Sequence, residues 1–130
     1  MKTHTFILLV LAMMAPSANA GDIYLIAHPS LDISVDAIRD VFVGEKQFHS
    51  GVKLAAVDNL AAQKDFLDKV MKLDSVRYGN IWTKKSFRDG LNAPPARGGD
   101  AEVLAFVRAT PGAVGYVTTL PSGVKAVAKF

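Results

Sequence analysis

Continuous apolar runs alternate along this chain with stretches whose apolar residues recur at helical spacing, and that alternation limits the fold more than any other feature. Ile23-Tyr24-Leu25-Ile26-Ala27, Lys53-Leu54-Ala55-Ala56-Val57, Val114 to Val117 and Val124 to Ala128 are short and nearly unbroken, the pattern of strands covered on both faces. Between them lie amphipathic segments. Ser34 can cap a helix that puts Val35, Ile38 and Val41/Phe42 on one side, with Asp36 in its first turn and Gly44 just past its end. Asp58-Asn59 is expected to open a helix carrying Leu60, Leu67, Val70 and Met71. Ser75 is expected to cap another, running to Ser86 with Tyr78, Ile81 and Trp82 as its stripe. Asp100 and Glu102 begin a fourth, with Val103, Phe106 and Val107 on one face and Arg108 in its last turn. Layers of this kind make an α/β fold, a mixed sheet flanked by helices, in which Trp82 is buried.

Turn chemistry divides these elements. Ser50-Gly51 and Pro121-Ser122-Gly123 are turn signals, and Thr110-Pro111-Gly112-Ala113 suits a type II turn, with proline presetting the first central φ and glycine supplying the positive one. Arg88 to Gly99 carries three glycines, two adjacent prolines and no periodicity, so it is expected to be a loop. No internal repeat or linker interrupts residues 21–130, which form one domain of ordinary size.

The first twenty residues have a different character. Lys2 gives a positive start, Phe6 to Ala15 is an apolar run, and Ala18-Asn19-Ala20 is the small-x-small pattern of a cleavage site. The run is shorter than the about 20 residues needed to span a bilayer. An uncleaved anchor is the alternative reading, but no longer hydrophobic extension or stop-transfer cluster follows. The segment is therefore expected to be an export signal cut after Ala20, with the mature protein periplasmic.

Of the 15 Lys+Arg, only Lys2 lies in that segment, so the remainder nearly balance the 12 Asp+Glu. A near-neutral domain lacks the concentrated basic stripe of a nucleic-acid binder. There is no cysteine, so disulfides, thiolate zinc sites and cysteine nucleophiles are excluded. His28 and His49 have no Cys, Asp or Glu at metal-ligand spacing. Gly98-Gly99-Asp100 is glycine-rich, but the lysine and hydroxyl of a P-loop do not follow, and Asp100 with Glu102 would repel an anion. No nucleophile elbow or paired catalytic carboxylates are visible, which points to binding without catalysis and without a cofactor. Arg77, Lys84, Lys85, Arg88 and Arg97 surround the long loop; they read as a solvated face or as a contact for acidic protein or lipid headgroups.

A series of landmarks runs through the chain: His28-Pro29-Ser30, Ile38-Arg39-Asp40-Val41-Phe42-Val43-Gly44, Val57-Asp58, Phe66 with Val70, Trp82 with Phe87 and Gly90, Pro94-Pro95, and Pro111-Gly112-Ala113-Val114-Gly115-Tyr116-Val117. In this order they resemble the phosphate-type (type II) periplasmic substrate-binding proteins, specifically short stand-alone members. In full-length relatives such a stretch forms the second lobe, and chain on both sides of it supplies the first. The resemblance therefore implies a single lobe, half of a cleft that in the family closes on its solute.

Ligands in an open α/β sheet sit beyond the carboxyl ends of strands, at helix N-termini. Two places qualify: Ser30, and the stretch Asn59, Ala61, Ala62 and Lys64. The family carries serine or arginine side chains at the second place. This chain has Asn59-Leu60-Ala61-Ala62-Gln63-Lys64, with Gln63 where arginine is expected, so phosphate binding should be weak at most. Asn59 also reads as a plain N-cap and Lys64 as a solvated helix residue. Two functions follow: binding of a small oxyanion, or a periplasmic interaction module accessory to a transporter or membrane sensor. In the second, a surface of Ser30, Asn59 and the Arg88 to Gly99 loop, with Arg88 and Arg97 as its charges, is covered by a protein partner or by a second copy in a homodimer.

Overall fold

The computed structural model describes residues 21–130; the expected export signal lies outside the described residues. Strand β1 (Tyr24–Ala27) is central in a four-stranded sheet. Its partners are β7 (Ala113–Val117) and β8 (Lys125–Lys129), both antiparallel, with Leu25 opposite Tyr116 and Ala27 opposite Val114. The short β4 (Ala55–Ala56) completes the order β4-β7-β1-β8 and runs parallel to β7. The sheet is mixed, as the sequence implies.

Helices cover both faces of the central strands β1 and β7, which matches their apolar character on both sides, whereas edge strand β8 is only partly covered and exposes Ala126 and Lys129. Leu25, Ala27, Val114 and Tyr116 point toward α1 (Val35–Phe42), α2 (Gln63–Phe66) with the π-helical turn Leu67–Met71 that continues it, and α3 (Ser75–Asp89). Ile26, Ala113 and Val117 face α4 (Asp100–Ala109) through Val103 and Val107. Gly115 permits this approach, since a Cβ there would lie 2.9 Å from Val57 Cγ1 and 3.1 Å from Val103 Cγ1. On the other face Phe66 stacks on Tyr116 with ring centroids 3.8 Å apart. Phe42 meets Phe66 edge-on at 4.8 Å. Trp82 is buried, and its indole N–H donates to the Phe42 carbonyl at 3.0 Å.

The expected caps and turns hold in part. Ser34 caps α1, its hydroxyl accepting from Ala37 N–H at 3.2 Å. Ala113 N–H donates to Thr110 carbonyl at 3.0 Å, and Gly112 has φ +83°, as a type II turn requires. Ser50 and Gly51, both at positive φ, join β2 (Phe48–His49) to β3 (Val52–Lys53). Helix α3, by contrast, is capped by Asp74 and not Ser75, and it continues past Ser86 to Asp89, where Gly90 ends it at φ +66°.

Two further expectations are corrected. The run Lys53 to Val57 is not one strand: Lys53 ends β3 of the hairpin and Ala55–Ala56 form β4 of the main sheet, after which β5 (Asp58–Asn59) makes a parallel pair with β6 (Ala96–Arg97). Asp58-Asn59 therefore does not open a helix. Its backbone is committed to that ladder, with Asp58 N–H donating to Pro95 carbonyl at 2.8 Å and Leu60 N–H to Arg97 carbonyl at 2.9 Å, so α2 starts only at Gln63. The stretch Arg88 to Gly99 is likewise not all loop, because it contains the last residues of α3 and β6.

Candidate functional site

Because β4 and β7 are parallel, the chain leaving β4 passes the C-terminal end of β7, where α2 and α4 also begin. Polar groups converge there. Asn59 is fully buried, and its amide is spent inside the protein: Nδ2 donates to Asp100 Oδ1 at 2.8 Å and to Tyr116 carbonyl at 3.2 Å, while Oδ1 accepts from Ala61 N–H at 3.2 Å. Asp100 gathers more donors, from Thr118 N–H at 3.1 Å, Thr118 Oγ1 at 2.8 Å and Thr119 Oγ1 at 3.0 Å. Partial burial raises its carboxyl, but the Thr118, Asn59 and Thr119 donors outweigh that and hold it below the usual carboxylate value.

Next to Asn59 lies a carboxylate that is buried, Asp58. Asp58 accepts from Tyr78 and Tyr116 hydroxyls, each at 2.7 Å. Loss of water around Asp58 raises its pKa, and the bonds from Tyr78, Tyr116 and Gln63 pull it only part of the way back. Burial, reinforced by the charge of Asp58, pushes both phenols well above their usual value.

The start of α2 is the least satisfied part of the region. Ala62, at the N-cap, has no side chain able to cap, and its own N–H donates to Asn59 carbonyl at 3.0 Å. The N–H groups of Gln63 and Lys64 begin the helix and so have no acceptor within it. Ala61 and Lys64 are exposed. Such a terminus can accept an oxygen ligand through two amides and one ammonium, with Asp65 in the same first turn opposing it.

The structure does not bring Ser30 to this place. Strand β1 runs opposite to β4 and β7, so its carboxyl end lies at the other end of the sheet, where His28 N–H donates to Ala113 carbonyl at 2.9 Å. The two ends are separated by the length of β7, roughly 13 Å at about 3.3 Å per residue. Ser30 is occupied locally, its hydroxyl 2.7 Å from His28 Nδ1. The single surface of Ser30, Asn59 and the long loop is thereby divided. Arg97 stays near Asn59 through the β5–β6 pair, its guanidinium 5.6 Å from the Phe106 ring centroid, whereas Arg88 belongs to α3 and lies beside Asp89 at 3.6 Å. The sequence reading missed Asp58 with its two tyrosines and Asp100 as a hub. Asp58 was visible as a charge adjoining an apolar run, but its partners lie 20 and 58 residues away.

No family model matches the chain, and no curated protein matches it. Among solved structures it is similar to an ABC-type phosphate transport receptor from Vibrio cholerae, with a TM-score of 0.51 and 12% identity over 83% of this chain and 46% of that chain. The chain thus spans less than half the length of that receptor. At this identity the similarity speaks to the fold alone: a mixed α/β arrangement shared with part of a transport receptor.

Proposed function

We propose that this chain is a single type II solute-binding lobe, exported to the periplasm with its signal cut after Ala20, that acts in transport or sensing by binding and not by catalysis. Its ligand is a small oxyanion such as phosphate, held at the start of α2 by the N–H groups of Gln63 and Lys64 and by the Lys64 ammonium, with the small Ala61 and Ala62 leaving room. The observation that carries this reading is the uncapped helix start beside the C-terminal ends of the parallel β4–β7 pair. The likeness to a phosphate transport receptor supports it. One open lobe leaves the ligand largely in water, so the Kd is expected to be no tighter than roughly tens of micromolar, about 6 kcal/mol. Calorimetry with inorganic phosphate, combined with amide shift mapping, tests it. Weak binding with shifts centred on Ala61 to Lys64, lost in Lys64→Ala, is expected; submicromolar binding, or shifts confined to other elements, refutes the reading.

A second reading, a periplasmic protein-interaction module without a small ligand, is favoured by Asp100. A carboxylate of the protein's own already occupies the richest donor cluster at this end of the sheet, and Leu60 (61% exposed) and Leu120 (78%) stand in water on the segments beside it. A photoreactive residue at the exposed Ala61 position should then crosslink to a protein in intact cells; adducts with no protein there exclude this alternative.

A further inference from the structure

Helix α3 carries four cations, Arg77, Lys84, Lys85 and Arg88, against one carboxylate, Asp89. Lys85 turns inward, where its ammonium meets Glu45 at 2.9 Å and the Gly44 carbonyl at 3.4 Å. The other three lie along one side of the helix with the half-buried Ile81, whereas Phe87, 94% exposed, stands on the other flank. Among the described residues neither Arg77 nor Lys84 has a carboxylate within ion-pair distance.

Alongside this face runs a groove of about 420 Å³ between α1 and α3, closed at one end by the segment that follows the π-helical turn. Its floor is Val43, Met71, Leu73 and Ile81, and Lys84 and Arg88 stand on its rim. Asp40 and Glu45 lie on the opposite rim, but Glu45 is neutralised by Lys85. A second depression continues the groove along α3 past Asn80 to Arg77.

We infer that this groove docks an acidic segment of another protein, with an apolar side chain seated on the Val43–Met71–Leu73–Ile81 floor and carboxylates against Lys84, Arg88 and Arg77. The floor residues are only half-buried, so a small molecule would remain largely in water, unlike the occupant of an enclosing pocket. A flat bilayer would bridge the concavity without filling it. A peptide knob fills it, and Lys84 and Arg77, with no carboxylate partner among the described residues, together with Arg88 beside Asp89, supply charge complementarity and fast association. The inference is independent of the oxyanion reading, because the groove's cations stand on α3 and only Leu73 is shared with the depression beside Gln63 and Lys64; absence of phosphate binding leaves it intact.

The test is selection of a random peptide library on the immobilised protein, followed by anisotropy titration of the enriched peptides. Enriched sequences should place Asp or Glu next to Leu, Ile or Phe, lose affinity as salt rises, and bind at least tenfold more weakly to the Lys84→Glu/Arg88→Glu variant. That variant should retain the unfolding midpoint of the parent, since both positions are exposed. Failure to enrich any peptide, or equal affinity for the charge-reversed variant, overturns the proposal. So does sedimentation with phosphatidylglycerol vesicles, abolished by the same charge reversals, when no peptide is enriched.

Discussion

The side-chain amide of Asn59 donates to the carboxylate of Asp100 across 2.8 Å, joining the end of β5 to the first turn of α4. A neutral donor is required there, because Asp100 is ionised and Asn59 is fully buried. Asn59→Leu should cost about 1–3 kcal/mol by leaving buried acceptors unmatched. Asn59→Asp should cost more, about 3 kcal/mol or above, since it buries a carboxylate against the ionised, half-buried Asp100. Urea unfolding of the two variants checks the order; equal stabilities would contradict it.

Asp58 should make stability depend on pH in a particular direction. Its folded pKa lies above the unfolded value of 3.8, so the folded chain keeps a proton that the unfolded chain releases. Its contribution is complete below 3.8 and is lost as pH rises through the folded pKa. The stability difference between the parent and Asp58→Asn should therefore shift against the parent as pH climbs above about 4 and through the raised folded value. Denaturant titrations at stepped pH read this directly, and taking the difference cancels carboxylates common to both proteins.

The phenols of Tyr78 and Tyr116 give the alkaline counterpart. Both are raised by burial and then by Asp58, so they remain protonated in the fold at pH values where an unfolded tyrosine, near 10, ionises. Two of the protein's three tyrosines should gain tyrosinate absorbance only with unfolding, and stability should fall above about pH 10. Stopped-flow ultraviolet spectra after a pH jump separate the fast phase from the unfolding phase.

Trp82 is the sole tryptophan and reports on the α1–α3 contact. Its ring packs over Gly44, where a Cβ would lie 3.0 Å from Cη2. Fluorescence should shift to longer wavelength on unfolding. Trp82→Phe, which leaves the Phe42 carbonyl without its donor, should cost about 1–3 kcal/mol in chemical denaturation.

Gly112 is irreplaceable for two separate reasons. Its φ is +83°, and a Cβ there would run into the Lys53 carbonyl oxygen. Gly112→Ala should destabilise the protein by about 2 kcal/mol or more, beyond the about 1 kcal/mol of a simple left-handed residue, as measured by thermal unfolding.

Local chemistry made β1, α1, α4 and the Thr110 to Ala113 turn legible, because each is set by its own apolar period, cap or glycine. Asn59 shows where that ends. Its cap-like signal was real, and its Oδ1 does accept from Ala61 N–H, but the bond closes a turn out of a strand, because pairing with Arg97, 38 residues on, claims the backbone. Strand direction was equally hidden. An apolar run reads the same in either sense, so nothing local revealed that β1 opposes β4 and carries Ser30 away from Asn59. The partners of Asp58 and Asp100 depend on the same long-range pairing and could not be assigned before it was known.

Ile23 and Phe130 exchange reciprocal backbone bonds, N–H to carbonyl at 2.9 Å and 2.8 Å, beside the β1–β8 pair. Until residues 125–130 are in place, the central strand therefore has one bare edge. Closure of a loop of about 100 residues has to precede that pairing, which places this domain among slow, late folders. The intermediate would be a substrate for chaperones and for edge-to-edge aggregation until residues 125–130 arrive.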